Sequence, residues 1–451
     1  MWCVKTLGPT KLSRASPEAV KLLLLCGILV LMETAFPQTA AAGNAARVEE
    51  LASDPRVARA LDWLAKNVAW VNDEQVHITE IPAPSFLESA RAVYLRKLLS
   101  CCGLRVRTDD VGDVIAERPG EVAGNVVLVT AHLDTVFPPG TDVKVRRNAN
   151  RMAAPGISDN STGLVALVAV ARALNEGKIK TRMTLVFAAD VGEEGEGNLR
   201  GMRKLVENYG DRLRYVIALD GASTDHVTAA AVASRRVEIS VLGPGGHSWS
   251  DFGVPNPIHA LSRGLARFVK VRVSSEPRTT FNVGAIEGGT SVNSIPDRAT
   301  IKVDLRSESE GELDHLEAAL REAIQAGVDE EMAAARDRGI TGREPNGKLE
   351  IKLRVLGLRP AGELAETSPL LAAVREADRY LGNRSHRERS STDANIPLSL
   401  GIQAISIGAG GRAGGAHTLS EWYDATGREL GLQRILLTLL GVAGLELAPQ
   451  K

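Results

Sequence analysis

The chain has 451 residues, of which 44% are hydrophobic and 24% are charged, and its formal net charge is −1. This length predicts one large domain or two ordinary ones with an ample buried core. The near-zero net charge gives no electrostatic signature for a nucleic acid, an acidic membrane or a polyanion, so the sequence predicts no partner of those classes.

Residues 1–42 differ in composition from the rest of the chain. Basic residues precede an apolar stretch from Leu22 to Met32, and Ala40 and Ala42 follow with the spacing of a small-residue cleavage site. The pattern predicts a signal peptide over residues 1–42 and a secreted or periplasmic protein, or a cytoplasmic one if this segment is not a working signal. The apolar stretch is shorter than the roughly 20 residues that span a bilayer, so no stable membrane span is predicted.

Residues 55–225 alternate between short apolar runs and longer amphipathic segments, which indicates an α/β sheet. Three near-continuous apolar runs predict parallel strands covered on both faces, at residues 125–131, 183–189 and 215–219. Between the first two runs, residues 161–177 predict a helix with Ser161 as its cap and Gly177 as its stop signal.

The pattern of predicted strands and helices changes between about residues 230 and 360. The predicted order there is strand, helix, strand, strand, helix, strand, which is the order of a ferredoxin-like unit. The α/β character then resumes, with a strand at 404–409 and a last helix near Leu430–Leu440. The sequence therefore predicts an α/β domain interrupted by a compact inserted domain, with linkers near residues 226–232 and 358–366.

Imidazole and carboxylate side chains follow the predicted strands of the first domain. In open α/β sheets the ligand binds outside the carboxyl ends of the strands. The residues at those positions are His132, Asp134, Asp190, Glu193, Glu194, Asp220 and, beyond the strand at 404–409, His417; Asp159 lies just before the predicted helix. Each alone is most often structural, and an aspartate before a helix is most often a cap. Together they would concentrate negative charge that only a cation could tolerate.

Two histidines and three carboxylates are enough for two metal ions if one carboxylate bridges them. His132 and Asp220 would serve one ion and His417 and Glu194 the other, with the bridge and a water shared. Two divalent ions against three carboxylates and one hydroxide leave the cluster close to neutral. Paired metals about 3.5–4 Å apart are a known arrangement for hydrolysing amides.

Asp134 and Glu193 then remain without a metal. Side chains two apart on an extended segment share a face, so Asp134 is predicted to stand behind His132 and to fix its tautomer and orientation. Glu193, next to Glu194, is predicted to take the proton from the attacking water and to return it to the leaving amine. The alternative for Glu193 is a solvent-facing loop residue.

Several segments together resemble the signature segments of the M20 family of metallopeptidases, in order and over roughly residues 55–445. They are "HLDTV" (132–136), "GISDNSTG" (156–163), "GEEGEGNLRG" (192–201), "ALDG" (218–221), "GPGGHS" (243–248), "VNSIPDRATIKVDLRS" (292–307) and "GAHTLSEW" (415–422). The resemblance implies a catalytic domain with a two-metal, usually zinc, centre and an inserted ferredoxin-like domain that covers the site and mediates dimerisation.

For this chain the resemblance implies one set of site residues. The metal ligands would be His132, Asp159, Glu194, Asp220 and His417, with Asp159 as the bridge, and Glu193 would be the general base. The cofactors would be two zinc ions per chain, with cobalt or manganese as alternatives.

The resemblance also implies three substrate-binding residues in the inserted domain. His247 resembles the histidine that reaches an active site, in many members that of a partner subunit, and stabilises the oxyanion. Asn293 and Arg306 resemble positions that bind substrate, and Arg306 could hold a carboxylate at two points. Without the resemblance, all three would be interpreted as ordinary polar residues of the surface or core.

The predicted organisation is a signal peptide (1–42), a zinc-exopeptidase-like α/β catalytic domain in two parts (45–230 and 361–451) and an inserted ferredoxin-like α+β lid and dimerisation domain (231–360). Aspartate at position 220 resembles the aminopeptidase and dipeptidase branch, since carboxypeptidase and deacylase members more often have glutamate there. The predicted function is an aminopeptidase or tripeptidase-like exopeptidase acting on short peptides as a homodimer, with a carboxypeptidase or N-acyl amino acid amidohydrolase as the alternative.

Three other classes compete with this interpretation. The segment "GHSWS" (246–250) nearly matches a serine-hydrolase elbow but lacks its last glycine, and "GAGGRAGG" (408–415) misses the spacing of a dinucleotide-binding loop. A non-catalytic binding protein on the same fold is the third class, and the full set of ligand-type residues argues against it.

Overall fold

The computed structural model describes residues 48–338 and 347–446. The predicted signal peptide over residues 1–42 lies outside this part of the chain and stays a prediction. Across the two described ranges, no helix is both long enough and apolar enough to cross a membrane.

The helices and strands follow one another in an order that mixes the two types throughout. The α-helices are α1 (Val48–Ser53), α2 (Pro55–Lys66), α3 (Val68–Thr79), α4 (Ser89–Ser100), α5 (Ser161–Glu176), α6 (Arg200–Tyr209), α7 (Pro257–Phe268), α8 (Glu310–Arg338), α9 (Pro369–Leu381), α10 (Asn395–Ser399) and α11 (Arg428–Ala443). Short 3₁₀ turns lie at Gly195–Gly197 and Gly210–Arg212. The strands are β1 (Arg105–Thr108), β2 (Val114–Arg118), β3 (Val126–His132), β4 (Arg146–Asn148), β5 (Arg151–Ala153), β6 (Thr184–Asp190), β7 (Leu213–Leu219), β8 (His226–Ala231), β9 (Ala233–Leu242), β10 (Gly246–His247), β11 (Thr279–Gly288), β12 (Ser294–Ile295), β13 (Arg298–Ser307), β14 (Glu350–Arg359), β15 (Gly362–Glu363), β16 (His386–Ser390), β17 (Gln403–Ile407), β18 (Arg412–Gly414) and β19 (Trp422–Asp424).

The first domain is built on a nine-stranded sheet with the order β1-β2-β6-β3-β7-β17-β8-β15, and β16 pairs with β8. The four neighbours β6, β3, β7 and β17 run parallel to one another. Every residue of β3 is buried, as expected for a central parallel strand covered on both faces. The predicted α/β fold is confirmed, and the carboxyl ends of these four strands meet at one edge of the sheet.

Helix α5 begins at Ser161, after the segment that follows β5, and its cap differs from the prediction. The cap is Asn160, whose side-chain oxygen accepts a hydrogen bond from the Gly163 amide at 3.1 Å. The prediction that Ser161 is the cap is therefore wrong. Ser161 instead donates its hydroxyl to the Gly156 carbonyl. Because Asn160 caps the helix, the neighbouring Asp159 side chain is free for another role.

The inserted domain is a four-stranded antiparallel sheet with the order β11-β13-β9-β14, and α7 and α8 pack on one face around a hydrophobic core of its own. Sequence order and sheet order together confirm the predicted ferredoxin-like unit. The two crossings between the domains are strands rather than the predicted soft linkers. Val232 alone separates β8 from β9, and Pro360 and Ala361 separate β14 from β15.

A small antiparallel sheet with the order β18-β19-β5-β4 joins two distant segments of the first domain. β19 pairs with β5, so the loop between β18 and β19 lies beside the segment that leads from β5 to α5. Because these two segments carry His417 and Asp159, the small sheet brings the two side chains to the same end of the large sheet.

Three buried aspartates, Asp113, Asp190 and Asp393, lie together in the first domain, and each has at least one carboxylate oxygen without a hydrogen-bond partner among the described residues. Burial, reinforced by the neighbouring carboxylate of Asp109, raises the pKa of Asp113 to about 8. Burial and Asp113 raise the pKa of Asp190 to about 8 as well. The fold therefore holds these carboxyl groups protonated at pH values where the unfolded chain releases their protons.

We expect Asp113→Asn to stabilise the protein increasingly as pH rises. The unfolded chain ionises Asp113 near pH 3.8 and the folded protein near pH 8, so the wild type loses stability through that window. An asparagine stays neutral, and its carbonyl can still accept the Val191 amide hydrogen bond. Urea unfolding should show a gain of up to about 4 kcal/mol at pH 8 over pH 5. Asp211→Asn, on the exposed surface, is the control, and equal pH dependence in both variants would contradict the prediction.

Candidate metal centre

The predicted ligand residues meet at the carboxyl edge of the parallel strands. His132 is the last residue of β3, Glu194 follows β6, and Asp220 is the first residue after β7. The small sheet adds His417, from the loop between β18 and β19, and Asp159, from the segment before α5. Five side chains from separate parts of the chain therefore reach one place.

These five side chains form two groups that share Asp159. His132, Asp159 and Asp220 form one group, and Asp159, Glu194 and His417 form the other, with one ligand atom from each residue within 4.8 Å of the others in its group. His132 Nε2 lies 3.1 Å from one Asp159 oxygen, and His417 Nε2 lies 3.1 Å from the other. Asp159 thus presents one carboxylate oxygen to each imidazole, which is the arrangement of a bridging ligand.

The atoms and charges of this cluster fit a pair of divalent cations. His132 Nε2 and the Asp159 oxygen facing it are buried and make no hydrogen bond within the described residues. Burial alone would lower the pKa of His132, but the carboxylates of Asp134, Asp159 and Asp220 raise it well above its usual range. Hydrogen bonds to Asp159 and Glu194 raise the pKa of His417 to about 10. The cluster therefore attracts positive charge, and imidazole nitrogens with carboxylate oxygens are ligands that zinc accepts.

The cluster is closed on one side and open on the other. The His132 side chain is 1% exposed, whereas the His417 side chain is 55% exposed. A substrate can therefore reach the centre from the side of His417.

Glu193 lies beside the cluster and is held by an arginine from the end of the inserted domain. It forms a third group with His132 and Glu194. Arg359, the last residue of β14, donates to the Glu193 carboxylate at 2.7 Å and also to the Glu193 carbonyl. Burial raises the pKa of Glu193 and the Arg359 guanidinium opposes that rise. The buried position contradicts the alternative in which Glu193 is a solvent-facing loop residue.

Asp134 supports the site in a different way from the prediction. His132 Nδ1 lies 3.0 Å from the Asp134 main-chain carbonyl, whereas the nearer carboxylate oxygen is 3.6 Å away. The carboxylate instead accepts hydrogen bonds from the backbone amides of Glu193 and Glu194, both at 3.0 Å, and from the Ser85 hydroxyl at 2.6 Å. Asp134 therefore ties the end of β3 to the loop that carries both glutamates.

The inserted domain contacts that same glutamate loop. Lys302 pairs with Glu196 at 2.6 Å, Arg236 donates to the Gly195 carbonyl, and the Leu358 amide donates to Asn198 at 2.8 Å. Basic side chains of the inserted sheet thus face the acidic segment 193–198. This contact places the inserted domain beside the loop that carries Glu193 and Glu194.

The three predicted substrate-binding residues make their hydrogen bonds within the inserted domain. His247 lies exposed in the two-stranded β10–β12 sheet and accepts from the Trp249 amide. Asn293 is exposed and accepts from the Ser291 hydroxyl, and Arg306 pairs with Asp304 at 2.7 Å. The structure does not bring these three residues into the metal cluster of the same chain, and their substrate-binding role stays a prediction.

The two competing motifs occupy positions that do not suit their chemistry. "GHSWS" lies on the exposed strand β10 and in the turn after it rather than between a buried strand and a helix. "GAGGRAGG" follows β17 but runs into β18 instead of into a helix. Neither motif therefore has the strand–turn–helix context that its function requires.

Three residues that support the site are not predicted from the sequence. Ser85 bonds Asp134, Arg359 bonds Glu193, and Glu421 bonds the backbone beside Asp159. An acidic residue four positions after His417 was the available signal for Glu421. Ser85 and Arg359 lie 49 and 166 residues from their partners, and no local pattern indicates such contacts.

Two curated relatives share parts of this sequence. The uncharacterized protein YqjE of Bacillus subtilis is 24% identical over 363 residues, which cover 75% of this chain and 89% of that protein. Acetylornithine deacetylase of Myxococcus xanthus is 30% identical over 218 residues, which cover 44% of this chain and 55% of that protein.

Solved structures share the fold over most of the chain. The aminopeptidase PepT from Bacillus cereus matches with a TM-score of 0.62 and 22% identity, covering 84% of this chain and 99% of that one. The Bacillus subtilis YXEP protein, described as a dinuclear metal binding peptidase, matches with a TM-score of 0.55 and 18% identity, covering 84% of this chain and 99% of that one.

A family model described as peptidase family M20/M25/M40 matches residues 128–439, which is more than half of the chain. The match includes all five residues of the candidate metal centre, the inserted domain and most of the first domain from β3 onward. The resemblance that the motifs indicate is thereby confirmed. The chain belongs to peptidase family M20/M25/M40 and is a metallopeptidase or related amide hydrolase.

Proposed function

We propose that this protein is a two-zinc exopeptidase that releases N-terminal residues from short peptides. The observation that carries the proposal is the position of Asp159, with one carboxylate oxygen 3.1 Å from each of the two imidazoles. His132 and Asp220 would hold one ion with Asp159, and Glu194 and His417 would hold the other. The YXEP protein, which has the same fold and is described as binding a dinuclear metal centre, supports the count of two.

Bound zinc ions would polarise the scissile carbonyl and make water acidic enough to attack at neutral pH. Glu193 would take the proton of the attacking water and pass it to the leaving amine nitrogen, which is general base and then general acid catalysis. Arg359 opposes the effect of burial on Glu193 and so favours the carboxylate form that accepts a proton. Asp134 fixes the backbone of Glu193 and hence the place from which it acts.

Two observations favour the aminopeptidase branch. Position 220 is aspartate, as in the aminopeptidases and dipeptidases that the sequence resembles, and PepT, an aminopeptidase, shares the fold over 84% of the chain. A deacylase of N-acyl amino acids is the second candidate, because acetylornithine deacetylase shares 30% identity over 218 residues. The two activities differ in whether the substrate carries a free amine next to the scissile bond.

Matched substrates separate the two candidates. We expect the zinc-loaded protein to cleave a tripeptide such as Ala-Gly-Gly after its first residue and to leave N-acetyl-Ala-Gly-Gly intact, with products identified by mass spectrometry. Chelation should abolish the cleavage and zinc should restore it. Hydrolysis of N-acetyl amino acids without cleavage of the free-amine tripeptide would contradict the aminopeptidase assignment, and activity that chelators do not affect would contradict the metal mechanism.

Replacement of Glu193 tests the general base. We expect Glu193→Gln to lower kcat by about 10²- to 10⁴-fold, because the amide cannot accept the proton. Zinc content should stay at two per chain, since Glu193 is not a proposed ligand. Glu196→Gln, in the same loop and paired with Lys302 on the surface, is the matched control and should keep nearly full activity. A wild-type kcat in Glu193→Gln would assign the base to another residue.

We also propose that the protein is a homodimer joined through the inserted domain. The turns that adjoin β10 and β12, near His247, expose apolar side chains, with Trp249 at 88%, Phe252 at 60% and Val292 fully exposed. Such a group is unusual for a surface that faces only water and is typical of a contact between chains. A dimer would also give His247 a route to the centre of the partner subunit.

Light scattering tests the dimer. We expect the wild type to have twice the chain mass and the double variant Trp249→Ser with Phe252→Ser to shift toward the monomer. The pair Leu419→Ser with Val93→Ser removes exposed apolar side chains outside the inserted domain and serves as the control. A monomeric wild type, or an unchanged mass in the double variant Trp249→Ser with Phe252→Ser, would contradict the proposed interface.

A further inference from the structure

We infer that Glu421 is a positioning residue of the metal centre, which locks the segment of Asp159 to the loop of His417. The inference rests on the proposed two-metal site and extends it to a residue that touches neither ion. Glu421 lies four residues after His417 and directly before β19. Its side chain is completely buried, although it is an acid.

The Glu421 carboxylate is bonded only to backbone amides of the Asp159 segment among the described residues. One oxygen accepts from the Gly156 amide at 2.8 Å, and the other accepts from the amides of Ser158 and Asp159 at 2.8 and 2.9 Å. These three hydrogen bonds on one short segment fix both its distance from Glu421 and its orientation.

The segment held in this way determines where the Asp159 carboxylate points. Because Asp159 faces His132 with one oxygen and His417 with the other, a shift of its backbone moves both contacts at once. On its other side, the Asn160 side chain bonds the Leu219 carbonyl and the Gly221 amide, which flank Asp220. Glu421 and Asn160 thus link three ligand-bearing loops through Asp159.

Glu421 also helps to hold the loop that carries His417. His417 has a φ of +64°, a left-handed conformation that is strained for a residue with a side chain. A loop in such a conformation needs contacts that hold it. The Glu421 side chain and the Glu421 carbonyl, which accepts from Ala154 at 3.2 Å, anchor the end of this loop to the Asp159 segment.

Zinc titration of the metal-free protein tests the inference by a readout other than activity. We expect the wild type to bind two zinc ions and Glu421→Ala to bind them with about 10- to 100-fold weaker affinity. Loss of a residue that orients metal ligands by hydrogen bonding typically weakens metal affinity by this factor. The loss should be larger for the ion at Asp159, Glu194 and His417, because Glu421 anchors two of its three ligands. Glu421→Gln keeps one carbonyl oxygen and should lose less.

Asp109 provides the matched control. Its carboxylate also accepts from three backbone amides, those of Val111, Gly112 and Asp113, in a turn that carries no proposed ligand. Asp109→Ala should lower the thermal midpoint of the metal-free protein and leave zinc affinity unchanged. If Glu421 only stabilised the fold, Glu421→Ala would behave like Asp109→Ala. It would lower the thermal midpoint and leave zinc affinity unchanged.

The outcomes separate this inference from the proposed function. Wild-type zinc affinity at both sites in Glu421→Ala and in Glu421→Gln would overturn the positioning role and leave the two-metal centre intact. Equal weakening by Asp109→Ala would overturn it as well. A wild-type protein that binds no zinc would instead contradict the proposed function on which the inference rests. Glu421→Gln keeps the test valid if the alanine variant does not fold.

Discussion

The site is organised around one electrostatic constraint, which is the convergence of carboxylates at the edge of a buried parallel sheet. Asp159 and Asp220 lie against His132, Asp159 and Glu194 lie against His417, and these carboxylates raise the pKa of the imidazole that they face. Ionised carboxylates in such a place are costly unless positive charge neutralises them. A pair of cations would satisfy this constraint and would supply the hydrolytic chemistry proposed for the site.

The fold meets the constraint by fixing backbone rather than side chains alone. Asp134 bonds the amides of Glu193 and Glu194, Asn160 bonds the chain on both sides of Asp220, and Glu421 bonds the amides beside Asp159. Each buried polar side chain joins one ligand-bearing loop to the next. Loops that would otherwise move independently are thereby held at the separations that shared ligands need. Rigid positions matter here because ligand geometry controls both metal affinity and catalysis.

The parts of the structure that follow from local pattern could be predicted from the sequence. A continuous apolar run ends at His132 because β3 is buried on both faces, and the same logic places Asp220 after β7. The ferredoxin-like order of the inserted domain also follows from the alternation of elements. The helix cap and the side chains that hold the ligand-bearing loops could not be predicted from local pattern. Asn160 rather than Ser161 caps the helix because its side chain reaches the Gly163 amide. Glu421 has a sequence signal in its place four residues after His417, but its contacts with amides 262 to 265 residues earlier depend on the tertiary fold and not on local pattern.

The most direct measurement of the central claim is a crystal structure of the zinc-loaded protein with anomalous diffraction at the zinc edge. The account predicts two anomalous peaks about 3.5–4 Å apart. One peak should lie against His132 and Asp220, the other against Glu194 and His417, and the Asp159 carboxylate should contact both. A single peak, or two peaks with Asp159 bound to neither, would contradict the account.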